Sequence, residues 1–176
     1  MEQYYRDARI HPIHEGTTGI QAMDLLGRKV IMQNGEAFSL FATEVRDAIA
    51  AASEYPDLEA YARQLAACLS DLEKTSGHLI NIAQTLGPEY FLADATLYLE
   101  LFGIAAVGWQ WLLQGIAIHK ALGEGKPKKD RNFYHGKIAV MKYFFAYELP
   151  KTSGLMTRLM QADGLTVDTP TELFND

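Results

Sequence analysis

Leucine recurs every seven residues at Leu58, Leu65, Leu72, Leu79 and Leu86, with Tyr61, Cys68, Thr75 and Ile82 interleaved. A series with this spacing belongs on an α-helix, because seven residues close nearly two helical turns and return each leucine to one face. The stripe needs an apolar partner along its length, so the helix packs lengthwise against neighbours at a shallow angle. Two partners fit the spacing: other helices of the same chain, or the same stripe on a second copy. The seam of an intramolecular bundle is the reading adopted here.

The rest of the chain follows a helical period, with no alternating strand pattern. A short helix is expected over Glu2–Arg9, then a turn over His11–Gly16 forced by Pro12. A second helix starts near Thr17 or Thr18, with Thr18 and Gln21 as a capping box. Its apolar face is expected to be Ile20, Met23, Leu26 or Gly27, and Val30, and Asn34-Gly35 ends it. Phe38, Phe41, Val45 and Ile49 mark a third helix to Ser53, before Tyr55-Pro56-Asp57, where Asp57 is placed to cap the leucine helix. Beyond Gly87-Pro88 one helix is expected over Glu89–Leu122, apolar on most faces and so central to the bundle. A basic loop follows over Gly123–Arg131. A helix then runs to Glu148 and another over Thr152–Ala162, before a polar, loosely ordered tail. The fold class is all-α, an antiparallel helical bundle. Residues 1–34, 35–164 and 165–176 form the expected segments.

Composition narrows the function classes. With 16 basic and 22 acidic residues the net charge is −6, and no basic stripe invites a nucleic acid. Cys68 is the one cysteine, which rules out an intrachain disulfide and any CxxC site and suits a reducing, cytoplasmic compartment. Leu101–Ile118 is uncharged and close to membrane-spanning length. Gln110 and Gln114 within it, and Asp94 and Glu100 before it, favour a core helix over a membrane span. The five histidines form no metal motif, and no metal site is expected. Cys68 sits at a core position and should be an inert small hydrophobe. Gly103, Gly108 and Gly115 are spaced for close helix packing, and Tyr143, Phe144, Phe145 and Tyr147 read as core.

The turn His14-Glu15-Gly16-Thr17-Thr18 is different. It places a carboxylate and a glycine just ahead of a helix start, where free N–H groups and two hydroxyls favour an anion. From the residues alone, a capped turn with a surface glutamate would look the same.

Tyr5-Arg6-Asp7-Ala8-Arg9-Ile10, Ile13-His14-Glu15-Gly16-Thr17-Thr18-Gly19-Ile20-Gln21 and Asp24-Leu25-Leu26-Gly27-Arg28-Lys29 together resemble the carboxyl-terminal signature of acyl-CoA dehydrogenases. That signature is a YRDA-type stretch, then IYEGT and an IQ pair leading the last core helix. About 25 residues match in order and spacing. The later chain, best supported by Lys142–Pro150, is similar to the helical domain appended in the long members, those like 3-methylmercaptopropionyl-CoA dehydrogenase.

The resemblance implies a role for each residue of the turn. Glu15 is the base that removes the α proton of an acyl-CoA thioester, and its backbone N–H helps polarise the thioester carbonyl. Gly16 lies against substrate, while Thr17, Thr18 and Gly19 lie near FAD. An electron acceptor and assembly into a homo-oligomer are implied as well. His14 and Gly19 depart from the family, which usually has tyrosine and a Glu or Gln there. The chain is expected to be the carboxyl-terminal portion of a longer enzyme, binding no FAD and inactive alone. The alternative is a non-catalytic helical interaction module that keeps the signature by descent.

Overall fold

The leucine helix is α4 (Glu59–Thr85), and its stripe faces the interior of the chain that carries it. Leu58, Leu65, Leu72 and Leu79 are buried, as are Cys68, Thr75 and Ile82, while Leu86 emerges half-exposed where the helix ends. In the computed structural model, residues 2–11, 16–123 and 128–174 are described, and every regular element among them is helical.

Opposite α4 runs α6 (Ala95–Gly123), the central helix, against which the helices on either side of α4 also pack. Two glycines let it approach α4 closely. A Cβ at Gly108 would stand 3.3 Å from a methyl of Leu65, and one at Gly115 would stand 3.2 Å from Leu58 and 2.9 Å from the Met141 sulfur. Gly108 and Gly115 are themselves one heptad apart, so α6 answers the leucine period of α4 with gaps at the same spacing. Gly103 has no such neighbour among the described residues, so close packing rests on the other two glycines. The seam holds one polar chain: the buried Tyr98 hydroxyl donates to Ser76 Oγ at 2.7 Å, and Ser76 in turn donates to the Leu72 carbonyl. Burial pushes the Tyr98 hydroxyl up to about 12 and the Cys68 thiol up to about 11, so both are neutral and inert at ordinary pH.

α3 (Met32–Ala52) covers a third side through an aromatic cluster, with Phe41 4.7 Å from Phe102 and edge-on to Trp109 at 5.8 Å between ring centres. The expected boundary at Asn34-Gly35 is a left-handed break inside this element, with positive φ at Gln33, Asn34 and Gly35. α4 starts after a turn in which the Leu58 and Glu59 amides bond the Tyr55 carbonyl, so the cap position falls on Leu58 and Asp57 makes no cap.

Three other expectations give way. The single helix over Glu89–Leu122 is two: α5 (Pro88–Leu92), a turn at Ala93-Asp94, then α6. α7 (Lys128–Tyr143) begins inside the expected basic loop, and Asp130 in its first turn suits the positive end of the helix dipole. It continues into a π turn over Phe144–Glu148, which turns Phe145 fully into the core and sends Tyr143 and Tyr147 outward. Those two tyrosines stack on each other at 4.7 Å on the surface instead of joining the core.

α8 (Lys151–Gln161) closes the bundle against α4 and α6. The segment after it is built into short elements, α9 (Leu165–Asp168) and a 3-10 turn over Thr171–Phe174. α6 is long and apolar enough to cross a membrane, and 39% of its most apolar window is buried against the rest of the chain.

Candidate functional site

α1 (Glu2–Ala8) buries none of its residues, and Tyr4 and Tyr5 stand open to solvent. Glu15 and His14 lie outside the described residues. Gly16 has a φ of +88°, a conformation that side-chain-bearing residues rarely adopt. Among the described residues no heavy atom comes within 4 Å of a Cβ placed at Gly16 or Gly19. Gly16 and Gly19 are both exposed. α2 (Thr18–Asp24) starts one residue after Thr17, so the cap position falls on Thr17 and not on Thr18, and the expected Thr18–Gln21 box is not its cap. Gly16, Thr17, Thr18 and Gly19 thus sit together on one exposed turn at the start of a helix. The apolar clefts of the bundle lie elsewhere. Two of them, of about 450 and 440 Å³, are lined by α4 with the end of the α7 π turn and start of α8, and by α4 with α3 and α5.

α2 runs straight on into a π turn over Leu25–Lys29, closed by the Val30 amide bonding the Leu25 carbonyl. The extra residue shifts the face of the helix. Ala22, Leu26 and Val30 go to the core, whereas Ile20 and Met23, expected on the same face, point outward at 63% and 47% exposure. The helix therefore carries apolar side chains on two sides, one partnered by α6 and one exposed. On its outer side Asp24 accepts two bonds from the Arg28 guanidinium and one ion pair from Lys29 at 3.2 Å. The Arg28 contact, with Lys29 beside it, holds the Asp24 carboxyl below its ordinary range.

Sequence reasoning missed one polar cluster at the far end of α6. Arg158 on α8 donates to Asp94 at 3.0 Å and to Asp163 at 2.8 Å, and the Tyr90 hydroxyl on α5 donates to Asp168 at 2.5 Å. Its partners lie up to 78 residues apart, so no local motif announces it. No group of three or more His, Cys, Asp or Glu able to hold a metal occurs among the described residues.

Residues 41–170 match the family described as acetyl-CoA dehydrogenase C-terminal like. The chain belongs to this family. It is also 36% identical over 162 residues to the 3-methylmercaptopropionyl-CoA dehydrogenase of Ruegeria pomeroyi, covering 90% of this chain and 26% of that protein. Identity to the broad-specificity linear acyl-CoA dehydrogenase FadE5 of Mycobacterium tuberculosis is 30% over 155 residues, covering 85% of this chain and 25% of that one. A butyryl-CoA dehydrogenase of Syntrophomonas wolfei is 27% identical over 173 residues, covering 96% of this chain and 28% of its own length. The chain therefore spans about a quarter of the length of these relatives. The matched region starts within α3, so the family assignment rests on the bundle. The turn at Gly16–Gly19 lies ahead of it.

Proposed function

We propose that this chain is the carboxyl-terminal part of a flavin-dependent acyl-CoA dehydrogenase, with Glu15 as the base. The observation that carries this reading is the likeness to 3-methylmercaptopropionyl-CoA dehydrogenase across 90% of the chain. In this reading residues 1–34 end the dehydrogenase core, 35–164 form the appended bundle and 165–176 the tail.

Glu15 takes the proton α to the thioester carbonyl, and its backbone N–H donates to that carbonyl as charge develops on it. An apolar acyl chain beside the carboxylate excludes water and raises its affinity for the proton. Gly16, held at positive φ and without a side chain, lets the substrate approach the backbone. Thr17, Thr18 and Gly19 would face FAD, near its pyrophosphate: Gly19 has no described neighbour where a Cβ would stand, and Thr17 and Thr18 bring hydroxyls to the start of α2. FAD, when bound, would supply the acceptor for the hydride that leaves the β carbon, and an electron acceptor would be needed to regenerate it.

Replacing Glu15 by Gln in the longer protein should lower acyl-CoA turnover by about 10²- to 10⁴-fold, the usual share of a general base. Retained turnover would remove Glu15 from that role. For the 176-residue chain alone we expect no turnover and no flavin, and stoichiometric yellow absorbance from the purified chain would overturn that expectation.

One observation favours a second reading, a self-associating helical module without chemistry of its own. Ile20 and Met23 on α2 are exposed, and so are Tyr4, Tyr5 and Ile10 ahead of it. If that surface joins copies, Ile20→Asp should reduce the mass in light scattering. If it docks the rest of a dehydrogenase, the isolated chain should keep its mass and only the longer protein should be disturbed.

A further inference from the structure

α5 is five residues long, yet besides the end of α4 just before it, it touches two parts of the molecule that are remote in sequence. On one side the Tyr90 hydroxyl donates to Asp168 of α9. On the other, the Leu92 side chain lies over Gly27, in the π turn of α2, so closely that a Cβ there would be 3.2 Å from a Leu92 methyl. Between them Phe91 is buried against the end of α4.

The tail that reaches Tyr90 is itself shaped for that contact. Gly164 has φ +69°, and a Cβ there would come 2.6 Å from the Tyr90 ring and 2.5 Å from an Asp168 carboxylate oxygen. The amides of Val167 and Asp168 both bond the Gly164 carbonyl at 2.8 Å, which closes α9 into one tight turn. Arg158 anchors both ends of the arrangement through Asp94, at the start of α6, and Asp163, ahead of Gly164.

We infer that residues 163–168 are a strap that holds α5 in place, and through Leu92 holds the π turn of the helix carrying the candidate site. Tyr90, Asp168 and Leu92 are in this account positioning residues. The π turn is the joint between α2 and the start of α3, and two residues that anchor it to the core, Leu26 and Val30, lie in it or directly after it. Loosening the strap frees α5, and a freed Leu92 no longer fixes Gly27. Packed groups in direct contact carry such an effect across the fold. Its importance for catalysis rests on the reading of Glu15–Gly19 given above; the mechanical claim does not.

Amide hydrogen exchange on the whole 176-residue chain tests it, with Tyr90→Phe, which removes one hydroxyl and no carbon. The expected result is exchange about fivefold faster both at residues 167–168 and at residues 28–30, the share of one exposed hydrogen bond. Core amides in α4 and α6 should keep the wild-type rate. Asp168→Asn, a second variant that alters the same contact from the other side, should reproduce the pattern, and Leu92→Ala should affect 28–30 without affecting 167–168. Faster exchange confined to the tail would overturn the proposal, as would no change at either place. Loss of protection in α4 would mean general unfolding, and the Asp168→Asn result then decides. None of these outcomes depends on whether the protein dehydrogenates an acyl-CoA.

Discussion

The described residues before α3 and those from α3 to α8 are both mainly helical, yet they are stabilised in opposite ways. The second stretch is closed on itself: α4 gives a leucine seam, α6 answers it with Gly108 and Gly115, and α3 and α8 cover the flanks. In the first stretch α1 buries nothing and α2 buries one face, leaving Ile20 and Met23 outside. The lesson is that recognisable chemistry and structural self-sufficiency do not coincide. Among the described residues, the turn proposed to meet substrate and cofactor leads into a helix with one exposed apolar side, and the part that shows the family is the bundle.

The largest test of this contrast is a pair of truncations. Leu72→Ala, in the seam, should lower unfolding stability by about 3 kcal/mol, within the range for a buried leucine that leaves a cavity. Ile20→Ala should change it by less than about 0.5 kcal/mol. Chemical denaturation of both variants checks the difference, and similar losses would mean that α2 is as integral to the fold as α4.

A pair of glycines sharpens it further. Gly115→Ala forces a Cβ against Met141 and Leu58 and should cost about 1–3 kcal/mol. Gly19→Ala meets no described neighbour and should be neutral or stabilise by up to about 1 kcal/mol, as a helical Gly→Ala change does. If Gly19 lies against the cofactor as proposed, the same variant should still weaken flavin binding in the longer protein.

The smallest effects are those of pH, and they too separate the regions. In the bundle, the Cys68 thiol has an ordinary value near 9.0 raised to about 11. The folded state therefore favours its neutral form, and this contribution is complete below pH 9 and is lost as pH rises through 11. Cys68→Ala should flatten the alkaline limb of the stability curve. At the surface, the Asp24 carboxyl is lowered from 3.8 by Arg28, so its contribution is present above that value and fades as acid protonates it. Because that pair is exposed, Asp24→Asn should alter the acid limb only slightly, less than Cys68→Ala alters the alkaline one.

How far the sequence could be read follows from what periodicity carries. The leucine seam was legible because seven-residue spacing is a direct record of helical packing. The burial of Phe38, Phe41 and Val45 toward one side of α3 was legible for the same reason. The division at Ala93-Asp94 was not, because neither residue breaks a helix by itself and the apolar pattern runs through it. Nor could periodicity choose between the two apolar sides of α2, since both carry residues at helical spacing and packing against α6 buries the Ala22 side. Tyr143 and Tyr147 were misplaced by the corresponding turn at Phe144–Glu148. Gly16–Gly19 stand out in the sequence because they are contiguous, whereas the contact of Tyr90 with Asp168 does not, because its halves share no local pattern.

The central claim is that chemistry belongs to the Glu15 turn while the bundle only supports it. Exchange of the substrate α proton with deuterated solvent, followed in the longer protein under conditions where all variants are folded, tests that division most directly. The account predicts that Glu15→Gln abolishes the exchange and that Leu72→Ala retains it at near the wild-type rate per folded molecule. Exchange that persists in Glu15→Gln, or disappears in folded Leu72→Ala, would contradict it.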